Sequence, residues 1–240
     1  RVPLRRLSIE STELCVGVST GRNSLKTVEH LLSAIFGCGL TNAVIRVQGP
    51  EIPILDGSAR FFLEAFEKAG FVQQALKRRI AVITKPVVVT QGDRWVGLWP
   101  KNEVDPDTLR MEIEIDFDHS AIGRQSLELN LSPEVYKSVL AGARTFGFLR
   151  DVETMRRKGL IRGASLENAV VWDDDRGVLN AEGLRYPNEC VRHKALDAVG
   201  DLALLGYPIV GQYRAFKPGH TLNVLLIERL RRSPEVWEIH

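Results

Sequence analysis

The chain has 240 residues, 44% hydrophobic and 26% charged, with 32 basic against 30 acidic side chains and a formal net charge of +2. That length admits one large domain or two small ones around a substantial core, and the charge balance excludes the whole-chain electrostatics of a dedicated nucleic-acid binder. No apolar run approaches the roughly 18 residues of a membrane-spanning helix, and Cys15, Cys38 and Cys190 fall in no C-x-x-C spacing, against a disulfide scaffold or a thiolate zinc cluster. The opening Arg1-Val2-Pro3-Leu4-Arg5-Arg6-Leu7 carries no apolar leader and no Met, so a cytoplasmic chain whose natural start lies upstream is expected.

In chain order, Thr27 reads as the N-cap of a first helix reaching Phe36, with Leu31, Ala34 and Ile35 spaced as a core-facing stripe. Gly37-Cys38-Gly39 ends it, and residues 42–47 read as a strand. After a Pro/Gly-rich turn over 49–58, a second amphipathic helix runs from about Ala59 to Ala69 and stops at Gly70. Lys77-Arg78-Arg79 is the charged break best suited to a domain boundary. Strand-like runs follow at 80–84, 87–90, 95–99 and 109–117, the second and third joined by a hairpin around Gln91-Gly92-Asp93. Pro133 after Ser132 opens a helix toward Ala141. A helix over 149–158, a strand over 169–172, a helix over 188–205, a strand over 208–215 and a helix over 221–230 complete the chain. His30 and His193 each stand near a helix start that leads through glycine into a strand, an echo that suggests two like α/β units with a site between them.

His193 and Asp197, at i and i+4, share one helix face, the spacing with which a helix offers two ligands to one metal. An imidazole and a carboxylate suit Zn²⁺ or a similar divalent ion, while a surface ion pair worth under about 1 kcal/mol has the same spacing. Glu29 precedes His30, and adjacent helical side chains diverge by about 100°. One can therefore ligate while the other serves as a carboxylate base; the alternative is a Glu that suits the helix dipole beside a half-buried His. His220 follows Gly219 at a strand-to-helix junction, where it could protonate a leaving group or simply cap the helix. Asp201 stands one turn beyond Asp197, either orienting a catalytic His or closing a salt bridge, and Asp56 lies in a turn where Asp is common. Arg192 and Lys194 offer a basic rim for phosphate; His119 is structural or at the rim, and His240 is a solvated terminal residue.

Seven segments carry a family resemblance: Thr27-Val28-Glu29-His30-Leu31; Pro50-Glu51-Ile52-Pro53-Ile54-Leu55-Asp56-Gly57-Ser58-Ala59; Ala143-Arg144-Thr145-Phe146-Gly147-Phe148; Val178-Leu179-Asn180; Gly183-Leu184-Arg185; Val191-Arg192-His193-Lys194-Ala195-Leu196-Asp197-Ala198-Val199-Gly200-Asp201-Leu202; and Lys217-Pro218-Gly219-His220-Thr221-Leu222-Asn223. In order and across essentially the whole chain, they resemble the motifs of UDP-3-O-acyl-N-acetylglucosamine deacetylase (LpxC), the zinc amidase of lipid A biosynthesis. The resemblance implies an α+β fold of two similar β-sheet-plus-helix layered domains with the active site at their junction. Residues 1–77 would form an N-terminally incomplete domain I, and 78–240 domain II with an acyl-passage insert at about 148–170. His30, His193 and Asp197 would be the zinc ligands, with Fe²⁺ able to replace Zn²⁺. Glu29 would be the general base, His220 the general acid, Asp201 the residue that positions it, and Thr145 the oxyanion donor.

For the substrate, the resemblance puts Lys194 at the diphosphate and Phe117 at the uridine, with Phe146 a further contact and Arg94 where some members carry Lys. Val152, Met155, Ile161 and Leu166 would line the acyl passage, unless they are plain core. The implied partner is a small-molecule substrate, UDP-acyl-GlcNAc, with no nucleic acid and no transmembrane segment, and the chain is expected to be a cytoplasmic monomer. A truncated or inactive homologue that binds without turnover is the alternative; a metalloprotease is disfavoured because Lys194, not Glu, follows His193. Three departures stand out. Pro187-Asn188-Glu189-Cys190 replaces an expected acidic pair and aromatic, Ala164 replaces a common Gly, and the family's opening Gly-Val-Gly-Leu-His-Ser-Gly has no counterpart, so Arg1 is expected to fall inside the first domain.

Overall fold

In the computed structural model, which describes residues 2–104, 107–157, 163 and 165–240, a small N-terminal sheet leads into two helices and then a larger sheet. Strands β1 (Ser8–Ser11), β2 (Gly17–Ser19) and β3 (Ser24–Leu25) form an antiparallel meander, followed by α1 (Glu29–Gly37) and α2 (Arg60–Ala69). Strands β4 (Ala81–Ile83), β5 (Val87–Gln91), β6 (Arg94–Trp99), β7 (Leu109–Asp116) and β8 (Arg124–Asn130) follow. Next come α3 (Pro133–Val135), which runs on as a π-turn over Tyr136–Leu140, β9 (Phe146–Phe148), α4 (Leu149–Arg157), β10 (Val170–Asp173) and β11 (Gly177–Val178). The chain closes with α5 (Glu189–Leu202), β12 (Ile209–Phe216), α6 (His220–Arg232) and β13 (Trp237–Ile239).

β12 is the spine of a seven-stranded mixed sheet. It pairs antiparallel with β6 on one edge; on the other, β4 pairs with Ile209 and Val210 and β7 takes over from Gly211, both parallel. β7 shows why this region folds as a sheet: Leu109, Met111, Ile113 and Ile115 are buried while the intervening Arg110, Glu112 and Glu114 face the more open side. The β5–β6 hairpin closes through Gly92-Asp93, with Gln91 opposite Arg94 and Gly92 at φ +63°, as its turn residues predict. A third sheet pairs β9 with β10 in parallel and β10 with β11 in antiparallel fashion. Mixed helices and sheets of this kind make the architecture α+β. No helix among the described residues is long and apolar enough to cross a membrane.

The feature that positions the site is the crossing of α1 and α5. Gly200 lets the backbones touch: a Cβ there would stand 2.1 Å from the Glu29 carbonyl oxygen. Buried Tyr136 lies on Gly37, and its hydroxyl donates to Ser33 Oγ (3.0 Å), which donates to the Leu196 carbonyl (2.8 Å). α1 is thereby fixed to α5 by polar bonds as well as apolar packing.

Several expectations need correction. Thr27 is not a cap: it sits at φ +58° and its hydroxyl donates to Glu51 Oε1 at 2.6 Å, while Val28 precedes α1 with no side-chain cap. Residues 42–47 form no strand; Val44, Ile45 and Val47 are exposed, and no ladder partner lies beside them among the described residues. The helix–turn–strand echo is therefore complete only after His193, where α5 leads into β12. The helix opened by Pro133 has its Ser132 cap, bonded to the Val135 amide at 3.2 Å, but widens into the π-turn before Ala141. Strands β1–β3, β8, β9, β11 and β13 are additional to the predicted set. Ile161 and Ala164 lie outside the described residues.

Candidate active site

Three helices bring the titratable residues together. Glu29 and His30 occupy the first turn of α1, His193, Asp197 and Asp201 lie at successive turns along one face of α5, and His220 opens α6. His30, His193 and Asp197 are 4%, 1% and 2% exposed, and each offers a ligand atom within 4.8 Å of the others. Asp197 Oδ1 lies 3.3 Å from His193 Nε2 and 3.7 Å from His30 Nε2. His193 Nδ1–H donates to the Ala143 carbonyl at 3.1 Å, which assigns the ring's tautomer and leaves Nε2 with a lone pair facing Asp197. Burial pushes the His193 pKa down to about 3, so no proton sits on Nε2 at neutral pH. Among the described residues, Asp197 Oδ1 has no hydrogen-bond partner. Two buried acceptors aimed at each other repel unless a cation lies between them, and two donors on a tetrahedral Zn²⁺ stand about 3.3 Å apart. The donor set fits a divalent ion.

The surrounding charges are arranged about that set. Burial opposes ionisation of Asp197, but cationic neighbours, the Lys194 ammonium and the His220 imidazolium among them, outweigh it and hold the carboxyl well below its usual range. Lys194 Nζ donates to Asp197 Oδ2 at 2.8 Å; burial lowers its pKa less than Asp197 raises it. His220 Nδ1–H donates to Asp201 Oδ2 at 2.9 Å, and His220 Nε2 is 4.0 Å from Asp197 Oδ2. Burial works against the imidazolium, yet Asp201 and then Asp197 raise its pKa to about 9. Asp201 Oδ2 also accepts from Asn223 Nδ2 (2.8 Å), whose Oδ1 accepts from the Tyr213 hydroxyl (2.6 Å). Burial raises the Glu29 carboxyl, with His220 the main opposing charge, and Glu29 Oε2 accepts the Val16 amide at 3.0 Å. A buried carboxyl, a buried imidazolium bonded to a carboxylate, and three side chains that could hold a cation are groups that metal-assisted hydrolysis can use.

The sequence profile of a family described as UDP-3-O-acyl N-acetylglycosamine deacetylase (LpxC) matches residues 1–232. The chain belongs to that family. It is 44% identical over 234 residues to the UDP-3-O-acyl-N-acetylglucosamine deacetylase of Acidithiobacillus ferrooxidans, covering 97% of this chain and 75% of the relative. The enzymes of the same name from Syntrophus aciditrophicus and Brucella ovis are each 43% identical, covering 96% of this chain and 71% and 79% of their own lengths. Membership of this family makes the chain a metal-dependent hydrolase.

Other residues that the LpxC resemblance singles out fall at different distances from the centre. The segment carrying Thr145 runs beside α5: its amide donates to the Gly57 carbonyl (2.7 Å), its carbonyl accepts from Val170 (2.8 Å), and its hydroxyl makes no hydrogen bond among the described residues. A Cβ on Gly57 would stand 2.1 Å from the Asn168 carbonyl oxygen, which requires glycine there. Phe146 packs edge-on against His193 (6.3 Å) and Phe117 (5.4 Å), with Lys194 Nζ 5.5 Å above its ring. Arg94 Nε donates to the Lys217 carbonyl at 3.0 Å, bracing the loop before His220 where Lys217 takes φ +53°. Val152 and Met155 are half-buried, one turn apart on α4, and Leu166 is exposed. Arg192 is not at the rim: its guanidinium bonds Asn188 Oδ1 (2.7 Å) and the Val139 carbonyl (3.0 Å) over the Tyr186 ring. His119 is buried against Trp172 and Phe148 and accepts the Ala121 amide, and Asp56 is tied to Ser58 and Arg185.

The Asn223–Tyr213 pair, the Val16 amide and the Ala143 carbonyl have no role assigned from sequence, although Ala143 and Asn223 lie in segments that carry the resemblance. Only Asn223 carried a signal there, as an amide between Leu222 and Val224 one turn after His220. A cavity of about 130 Å³ lies at the C-terminal ends of α1 and α5, among Phe36, Leu109, Leu202 and Ile209, and touches none of the titratable groups above.

Proposed function

We propose that this chain hydrolyses the N-acetyl group of UDP-3-O-acyl-N-acetylglucosamine, the deacetylation within lipid A biosynthesis for which its relatives are named. The reading rests on the facing acceptors His193 Nε2 and Asp197 Oδ1, with His30 beside them and Glu29 and His220 in electrostatic reach. His30, His193 and Asp197 would hold a divalent ion, with Zn²⁺ proposed and Fe²⁺ accepted by the same donors, and such an ion would supply Lewis acidity to the amide carbonyl and the attacking water. Glu29 takes the proton from that water, burial making it a stronger base than an exposed carboxylate. As the C–N bond breaks, His220 Nε2–H gives its proton to the departing amine while Asp201 holds Nδ1–H in place. The Thr145 hydroxyl donates to the carbonyl oxygen as it gains charge. The products are acetate and the free glucosamine amine.

For the rest of the substrate, Lys194 and Arg94 supply positive charge toward the diphosphate, and Phe117 and Phe146 the aromatic surface for the uridine. Val152, Met155 and Leu166, with Ile161, are proposed for the acyl chain. We place the meeting of two layered domains at the exposed Lys77-Arg78-Arg79 break, and read the chain as a cytoplasmic monomer. Metal analysis combined with an acetate-release assay on the purified chain tests the reading. About one ion per chain is expected, and Glu29→Gln or His220→Gln should each lower kcat by about 10²- to 10⁴-fold with the ion retained. A folded chain that holds no divalent ion and releases no acetate would sink it.

A further inference from the structure

The peptide group between Ala143 and Arg144 is gripped at both ends by side chains one turn apart on α5. Its carbonyl accepts from His193 Nδ1–H at 3.1 Å, and its N–H donates to Glu189 Oε1 at 3.0 Å. We propose that Glu189 is a positioning residue for His193, acting through this one peptide unit to orient the imidazole and strengthen it as a metal donor. The inference rests on the reading of His193 as a ligand.

The physical case has three parts. First, a peptide is a resonant dipole, so an anion at its N–H side adds negative charge to its carbonyl oxygen, and hydrogen bonds in series strengthen one another. Second, a stronger acceptor at Nδ1–H makes Nε2 more basic. Carboxylates commonly do this to metal-bound histidines directly; here a peptide is inserted between carboxylate and imidazole. Third, the carboxylate is held for the task. Glu189 is 1% exposed; Oε1 also accepts from Arg144 Nε (2.9 Å), and Oε2 accepts from Arg144 Nη2 (3.2 Å) and the Arg185 amide (2.7 Å). Arg144 is 2% exposed and is occupied in turn by Glu182 (2.6 Å) and the Gly183 carbonyl (2.7 Å). A salt bridge serving only to neutralise Arg144 would have no need of the Arg144 amide, the one donor that shares its peptide with the His193 acceptor.

The test compares ¹⁵N-labelled protein free of metal and loaded with Zn²⁺. Loading should shift the His193 imidazole nitrogens and move the Arg144 amide proton downfield, with a smaller change at the Arg185 amide, which meets the other carboxylate oxygen. Glu189→Gln keeps an acceptor at Oε1 but removes its charge, so it should diminish the Arg144 response and weaken Zn²⁺ binding by about 10- to 100-fold in chelator competition, with the circular dichroism unchanged. If the variant does not fold, the parent protein's own shifts decide. A His193 response with a silent Arg144 amide overturns the relay alone. A silent His193 overturns the relay together with the ligand assignment. A folded Glu189→Gln that binds Zn²⁺ as tightly as the parent overturns the relay as well.

Discussion

Gly200→Ala separates local propensity from packing, because the two predict opposite signs. Gly200 lies inside α5, where Ala is favoured over Gly by about 1 kcal/mol, so an isolated-helix view predicts a more stable protein. The added Cβ would stand 2.1 Å from the Glu29 carbonyl oxygen. Ordinary contact needs roughly 1 Å more, and the obstacle is helix backbone rather than a side chain that can swing away. Overpacking of this kind costs about 1–3 kcal/mol, enough to offset the propensity gain and leave a net loss. The retreat also falls on the first turn of α1, carrying Glu29 and His30 away from His193 and Asp197. A displacement of about 1 Å costs on the order of 10²-fold in rate. Urea unfolding and kcat/KM on the same preparation check both halves. A Gly200→Ala protein of raised midpoint and undiminished activity would refute the reasoning about the α1–α5 contact.

The raised pKa values fix the sign of the pH dependence. His220 is cationic and able to donate below about 9, so turnover should fall as pH rises through that value; Asp201→Asn removes the largest charge holding it there and should pull the alkaline limb down by about 1–2 pH units. Glu29 must be ionised to act as base, so the acid limb should lie above the ordinary value of 4.5 and disappear in Glu29→Gln, read from kcat/KM against pH. Chelation should lower the thermal midpoint, since the ion binds only the folded donor set; at 1,000 times its Kd it contributes about 4 kcal/mol, and His193→Ala should make the midpoint insensitive to chelator. Tyr213→Phe removes only the hydroxyl that fixes Asn223, and should cost about 1–3 kcal/mol of stability while shifting the alkaline limb by less than Asp201→Asn does.

What could be read from sequence follows the range of the interaction. His193, Asp197 and Asp201 are legible because a helix brings i, i+4 and i+8 to one face without help from the rest of the chain. The β5–β6 hairpin is equally local, settled by Gly92-Asp93. Residues 42–47 show the limit: their alternation describes what a strand would bury, but a strand exists only when another pairs with it, and none does so among the described residues. β8 shows the converse. With Arg124, Gln125, Ser126, Glu128 and Asn130 it reads as polar, and it forms because β7 offers an open edge and Leu127 and Leu129 pack on the core.

The site hides its remaining parts for a related reason. The Ala143 carbonyl and the Val16 amide that hold His193 and Glu29 are backbone groups, which every residue possesses, so no side chain marks them. Thr27 misled because Thr is a good N-cap, yet here the hydroxyl turns to Glu51 and the residue takes a left-handed conformation. Lys217 does the same three residues before His220, and Leu55 immediately before Asp56. Non-glycine residues in that region cost of order 1–3 kcal/mol and persist only where surrounding contacts over-determine them. For Lys217 those contacts are visible: Arg94 bonds its carbonyl, while Asp93 and Asp116 bind its ammonium at 2.9 and 3.3 Å. Arg94 thus has a structural use beyond its charge, holding the strained loop that delivers His220. Replacing Lys217 by Gly would relieve the backbone while discarding the two ion pairs. Stability would then rise only if the strain exceeds what those two exposed salt bridges contribute, which solvent screening keeps small.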